Sequence, residues 1–249
     1  MKNTICLRIL IFVLATVCHV HLRAEPSFLA WSASAGLNHY AESQMQLRGP
    51  ELGLHVKTGP LDKGMGLFAE GDVFIGQQNY SSNGTGTMSH VTNVETRWRG
   101  LGLIVPGVNA QEGLYAGLAL HTLWNDLRGR SSTGNTGYER EAVQLWLPVR
   151  WVSNEAWQIE TGLLLKGRHT SRLSQSSSSY QDVHNQQRHG TYAQVSWNYT
   201  LDAGNLISPY VRYTHLASSD YVIMNNQNWY EPASKRWQVG LTWHWDQIP

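Results

Sequence analysis

The sequence predicts an all-β chain, an antiparallel up-and-down transmembrane β-barrel of about ten strands, with eight or twelve as alternatives. Three observations carry this. Ten segments alternate apolar with polar or small residues at period two. The apolar set is heavily aromatic, with eleven Trp and eleven Tyr against four Phe. Such rings favour membrane–water interfaces, where an apolar body keeps one polar atom wet. Finally, short turns and longer polar loops alternate along the chain, as an up-and-down barrel requires. A soluble sandwich shares the period, but its Trp and Leu faces need a covering layer, and no second sheet or helix pattern offers one.

The segments follow in order. The first, Phe28 to Tyr40, sets Leu29, Trp31, Ala33, Ala35 and Leu37 on one face. A polar loop, Ala41 to Gly49, leads to the second, Glu51 to Thr58, and Gly59 to Gly64 reads as a turn. The third, Leu67 to Gln77, is followed by a Ser/Asn/Gly/Thr loop from Asn79 to Asn93. In the fourth, Val94 to Val105, Gly100 and Gly102 suggest a bulge. The fifth, Leu114 to Asp126, and sixth, Glu141 to Trp151, carry five or six apolar residues on alternate positions. The seventh, Trp157 to His169, precedes the longest loop, Leu173 to Gln187. The eighth and ninth are Tyr192 to Leu201 and Ile207 to Ser218. The last, Arg236 to Trp245, alternates Trp237, Val239, Leu241, Trp243 and Trp245 with polar or small residues.

Residues 1–24 read as a secretory signal, with basic Lys2 and Arg8, an apolar run from Ile9 to Val20 and a small Ala24 before Glu25; residues 25–249 are then one barrel domain. Both cysteines, Cys6 and Cys18, fall in that signal. The mature chain then holds no disulfide and relies on hydrogen bonding and burial. Without Lys2, Arg8 and Arg23, 16 basic residues face 18 acidic ones, so no nucleic-acid partner is expected. Beyond the signal, no run approaches the roughly 18 apolar residues of a membrane helix. Mean hydropathy is negative, −0.35. In a barrel that is no obstacle, because only alternate residues face lipid.

The final strand resembles the C-terminal recognition signal of bacterial outer-membrane β-barrel proteins, with the tail Asp246 to Pro249 as a departure from an aromatic end. The whole mature chain is similar to small barrels between the opacity or OmpX-like class and the outer-membrane proteases. The resemblance implies an outer-membrane location in a Gram-negative envelope. The implied partners are outer-membrane lipid, lipopolysaccharide and the barrel-assembly machinery, with a small solute or extracellular ligand as a further one.

On the predicted inward faces, Glu70, Asp72, Glu95 and Glu160 meet Arg97, Arg99, Arg150, Lys166, Arg168, Arg212 and Arg236. Isolated buried charge is very costly, so these groups must pair or stay hydrated. A salt-bridged filling of the lumen is favoured over a constricted, mildly anion-preferring channel, because about ten strands leave little open width. Trp31, Trp124, Trp151, Trp157, Trp197, Tyr199, Trp237, Trp243 and Trp245 are the expected aromatic girdle. His215 and Ser218 bring lipid A deacylases to mind, but three residues apart they fall on opposite faces of a regular strand. The outer-membrane protease pattern would draw on Asp126, Asp220, His169 and His189, without paired aspartates. His90, His184 and His189 lack metal-ligand spacing. No catalytic residue, metal or cofactor is assigned, and the expectation is a non-enzymatic barrel. Loop aromatics Tyr138, Tyr180, Trp229 and Tyr230 leave surface adhesion or ligand binding open, as against plain packing.

Overall fold

The computed structural model describes residues 27–60, 66–108, 112–153, 156–201, 205–224 and 226–245. The expected signal, most of the turn at 59–64 and the tail 246–249 lie outside them. The chain is a closed antiparallel barrel of ten staves. Seven single strands come first: β1 (Ser27–Ala41), β2 (Met45–Pro60), β3 (Leu67–Ser82), β4 (Gly86–Pro106), β5 (Gly113–Asp126), β6 (Glu139–Ser153) and β7 (Trp157–Ser171). The eighth stave is broken into β8 (Val183–Gln187), β9 (Gly190–Trp197) and β10 (Tyr199–Thr200). The ninth is β11 (Leu206–Leu216), and β12 (Val222–Met224) and β13 (Gln227–Trp229) form a small hairpin before the tenth, β14 (Ser234–His244). Each stave pairs with its sequence neighbour, and β1 closes the ring on β14 from Ser32↔His244 to Ala41↔Lys235. Among the described residues no helix is long and apolar enough to cross a membrane.

The alternation divides inside from outside. On β14, Arg236, Gln238 and Thr242 are buried while Trp237, Val239, Leu241 and Trp243 are exposed. The outward apolar belt continues through Leu52, Leu54, Ile75, Leu118, Leu145, Leu147, Ile159 and Leu163. Trp31, Trp151, Trp157, Trp197, Tyr199, Trp243 and Trp245 are exposed near the end of the barrel that holds the strand ends Ser27 and His244, called the terminal end below. Trp157 and Trp197 pair in register and stack at 5.4 Å, 5° from parallel. Trp237 and the half-buried Trp124 lie toward the opposite, loop end.

Several boundaries differ from expectation, for identifiable reasons. Residues 45–50 and 79–82 are strand, because the β1–β2 and β3–β4 hairpins continue past the apolar belt as paired ladders. The polar composition that suggested loops at Ala41–Gly49 and Asn79–Asn93 marks, for the most part, strand beyond the apolar belt instead. The fourth strand is regular at Gly100 and Gly102; its irregularity lies at Ile104, between Leu103↔Tyr115 and Val105↔Leu114. β11 stops at Leu216, so Ser218 is in a loop. Part of the expected long loop, Val183–Gln187, is β8.

The bulge with the largest consequence is on β7. There Leu145 pairs Lys166 while Trp146 pairs Leu164, leaving Leu165 as an extra residue. One inserted residue reverses the parity of everything beyond it. Lys166 and Arg168 were expected in the lumen. They are exposed and share the outer face with their cross-strand partners Leu145 and Val143. The same bulge interrupts pairing with the eighth stave: β9 reaches Leu163↔Thr191 and β8 resumes at Gly167↔Gln187 in the same register.

Candidate functional site

The barrel interior is a solid mixture of ion pairs and rings. Near the terminal end, Glu70 of β3 accepts two hydrogen bonds from Arg150 of β6, at 2.7 and 2.6 Å, and pairs with Arg99 of β4 at 3.0 Å. Glu160 of β7 accepts from Arg150 Nε at 2.7 Å and from the Tyr192 hydroxyl at 2.8 Å. It also faces Arg99 at 3.4 Å and Arg212 at 3.8 Å. These contacts run across the lumen, tying β3, β4, β6, β7 and β11 together. Bidentate guanidinium–carboxylate geometry is the arrangement that best offsets desolvation.

At mid-height, Glu95 accepts from Arg97 through both oxygens at 2.9 Å and pairs with Arg236 at 2.9 Å. Gln238 links this group to Glu51 at 2.8 Å, and Arg97 also donates to Gln238. Arg236 Nε reaches Asn38 at 3.0 Å. Rings cover the guanidinium faces: Arg97 lies 4.6 Å over Phe74 and Arg212 3.8 Å over Tyr192. Beside them Trp146, Tyr192, Ala119 and Leu164 form an apolar plug, with Trp146 fully covered. The sequence signal for Trp points to the girdle, and parity with Gln144 was the one clue that Trp146 turns inward.

At the loop end, Glu231 reaches the wall from the 230–233 segment. It accepts from Arg140 at 2.6 Å and Ser171 at 2.6 Å, and sits 2.8 Å from His169 Nδ1. Burial works against its ionisation, but Arg140, His169 and Ser171 outweigh it and hold the carboxyl well below the usual range. Asn185 donates to the carbonyls of Asp220 and Trp229 at 3.0 Å, and Gln186 N donates to Asp220 Oδ1 at 2.5 Å. Residues 217–224 and 226–233 are thereby strapped to the rim. Glu42, Glu51, Glu231 and the rim arginine Arg140 were not picked out from the sequence; Glu51 fell at a strand edge and the others in apparent loops.

One hydrogen-bond chain resembles acyl-transfer machinery. Ser34 Oγ is 2.8 Å from His55 Nε2, and His55 Nδ1 is 2.9 Å from Asp72 Oδ1, on three adjacent staves. Two features set it apart from such machinery. Ser34 is only 6% exposed, and Asp72 is shared with Arg99. Furthermore, β1 is paired on both sides at Ser34, with Thr242 and with Gly53, so the surrounding backbone amides are committed to ladders and none is free for an oxyanion.

The remaining sequence candidates are dispersed. His215 faces outward on β11, and Ser218 is beyond the strand; among the described residues no hydrogen bond joins them. Asp126 pairs Arg128 at 2.6 Å, Asp220 caps Gln186, and His169 is held by Glu231. Trp229 packs edge-on against Tyr180 at 5.6 Å, and Tyr138 is half-buried, its hydroxyl pKa raised by burial, whereas Tyr230 is exposed. Among the described residues no three metal-ligating side chains cluster.

No family model matches the chain, and no curated protein does. Among solved structures, the β-domain of the Bordetella autotransporter BrkA is similar at 14% identity and a TM-score of 0.47, over 88% of this chain and 99% of that one. Neisserial surface protein A is similar at 10% and 0.35, over 88% and 98%. The translocator domain of autotransporter NalP from Neisseria meningitidis gives 10% and 0.43, over 92% of each. At these values the likeness carries no functional weight.

Proposed function

We propose that the protein is an integral outer-membrane barrel with a sealed lumen, a non-enzymatic envelope component that meets lipid and lipopolysaccharide through its belt and is inserted by the barrel-assembly machinery through β14. One observation carries this: the cross-lumen network around Glu160 and Glu95, whose arginines are almost fully buried and span opposite walls. A permeant ion would have to displace guanidinium groups already paired in a region of low dielectric. That displacement costs several kcal/mol per broken pair, on the order of 3 to 5. The exposed Trp and Leu belt supports the location.

Two measurements test it. Envelope fractions run on a denaturing gel should show a band in the outer-membrane fraction that shifts on boiling, since a closed ladder resists detergent. Purified protein in a planar bilayer should show no conductance steps. Discrete steps that change sign preference on Arg97→Glu or Arg99→Glu would establish the narrow channel instead.

A further inference from the structure

A second polar site lies on the outer wall. The tips of β2, β3 and β4 and the 127–138 loop enclose a groove of about 560 Å3, lined by Arg48, Arg130, Asn79, Ser81, Ser89 and Ser132 among others, with no carboxylate in its lining. Both arginines are exposed, and among the described residues neither guanidinium has an ion-pair or hydrogen-bond partner. In the lumen, by contrast, every arginine is held by a carboxylate or an amide oxygen.

The groove starts where lipid contact stops. Outward positions on β2 run Val56, Leu54, Leu52, Pro50 and then Arg48 and Gln46; on β3 they run Val73, Ile75 and then Gln77 and Asn79. Arg48 pairs in register with Asn79 on one side and with His39 on the other, and His39 pairs with the outward Trp237. Arg48 therefore stands at interfacial height, directly above apolar wall, and Arg130 lines the same groove. The groove is also preformed. Ser132 N donates to Thr87 O and Thr87 N to Ser132 Oγ, both at 2.9 Å, and Thr133 Oγ1 donates to Thr85 O at 2.9 Å. Gly86 permits that approach: its φ is +79°, and a Cβ there would stand 2.4 Å from Ser132 Oγ.

We propose that this groove binds the phosphorylated sugar headgroup of a lipid in the surrounding leaflet, a proposal that rests on the membrane reading above. Arg48 and Arg130 hold the phosphate, the hydroxyl and amide side chains hold the sugar, and the acyl chains run down the β2–β3 wall. The test is binding of lipopolysaccharide to the full protein in detergent. The comparisons are the same lipid after dephosphorylation, soluble glucosamine 1-phosphate, and the R48Q/R130Q variant. The phosphorylated lipid should bind R48Q/R130Q at least about ten-fold more weakly, and the dephosphorylated lipid should not distinguish it from the parent. Equal affinity of parent and variant for the phosphorylated lipid overturns the site. Glucosamine 1-phosphate binding as tightly as the lipid overturns the lipid source. The variant's boiling shift reports its fold; if the parent itself lacks that shift, the membrane reading fails, and not the groove alone.

Discussion

Glu160→Gln is the sharpest perturbation of the lumen. The carboxylate accepts from Arg150 at 2.7 Å and Tyr192 at 2.8 Å, with Arg99 at 3.4 Å and Arg212 at 3.8 Å. The surrounding cations Lys57, Arg97, Arg99, Arg150, Arg212 and Arg236 already outnumber the acids Glu51, Glu70, Asp72, Glu95 and Glu160 by one. An isosteric amide keeps one acceptor but leaves three guanidinium groups short of charge. Removing one member of a buried pair costs about 3 to 5 kcal/mol, and the retained acceptor places this case at about 3. For a chain of this size that is a loss of roughly 6 to 12 °C in midpoint. The assay is the boiling shift followed against temperature in detergent. Adding Arg212→Leu to the variant should recover part of the loss, because Arg212 is the least well-paired of the lumen guanidinium groups. A Glu160→Gln midpoint within about 1 °C of the parent would refute the network as what holds the lumen closed.

Three further outcomes follow from other parts of the molecule. Glu231 has a folded value below the ordinary carboxylate value of about 4.3, so its contribution is complete above that pH and declines as pH falls toward the folded value. Amides of 217–224 should therefore lose protection, relative to their intrinsic exchange rates, below about pH 4, and Glu231→Gln should lack that protection at pH 7 as well; protection indifferent to both would sink the strap. Deleting Leu165 makes the β6–β7 ladder continuous, leaves every other β7 residue on its present face, and moves the one-residue mismatch to the break in the eighth stave at 188–190. The shortened chain should still fold and shift on boiling, and an aggregated product would show that the bulge is required. A fluorophosphonate probe should leave Ser34 unlabelled, and a Ser34 adduct detected by mass spectrometry would reverse the structural reading of that chain.

Much of the barrel was legible because period two is a one-dimensional signal. Outward runs such as Trp237 to Trp243 announce both strand and face. What stayed hidden depends on contacts between distant residues. Lys166 and Arg168 lost their expected place through one extra residue at Leu165, and a bulge leaves no mark in a sequence whose neighbours are all strand-compatible. Trp146 turned inward against the usual interfacial preference of its type, since Tyr192 and His121 offer it rings at 5.2 and 5.5 Å. Polar hairpin tips read as loops, because outside lipid the ladder no longer demands an apolar face. The groove needed the 127–138 loop to be laid beside β4, a placement fixed by Ser132 and Thr133.

The mid-height cluster also ties the charge balance of the lumen to closure of the ring. Its bonds join residues far apart in the chain: Arg236 to Asn38 across 198 positions, Gln238 to Glu51 across 187 and Arg97 to Gln238 across 141. All three are made by side chains of β14, the strand that closes the ring on β1. Until it docks, Glu51 and Glu95 lack their terminal-strand partners and must keep water around them. Neutralising these acids and closing the β1–β14 seam are therefore coupled. A β14 docked one residue out of register would turn Arg236 and Gln238 to the outer face and leave both carboxylates unanswered.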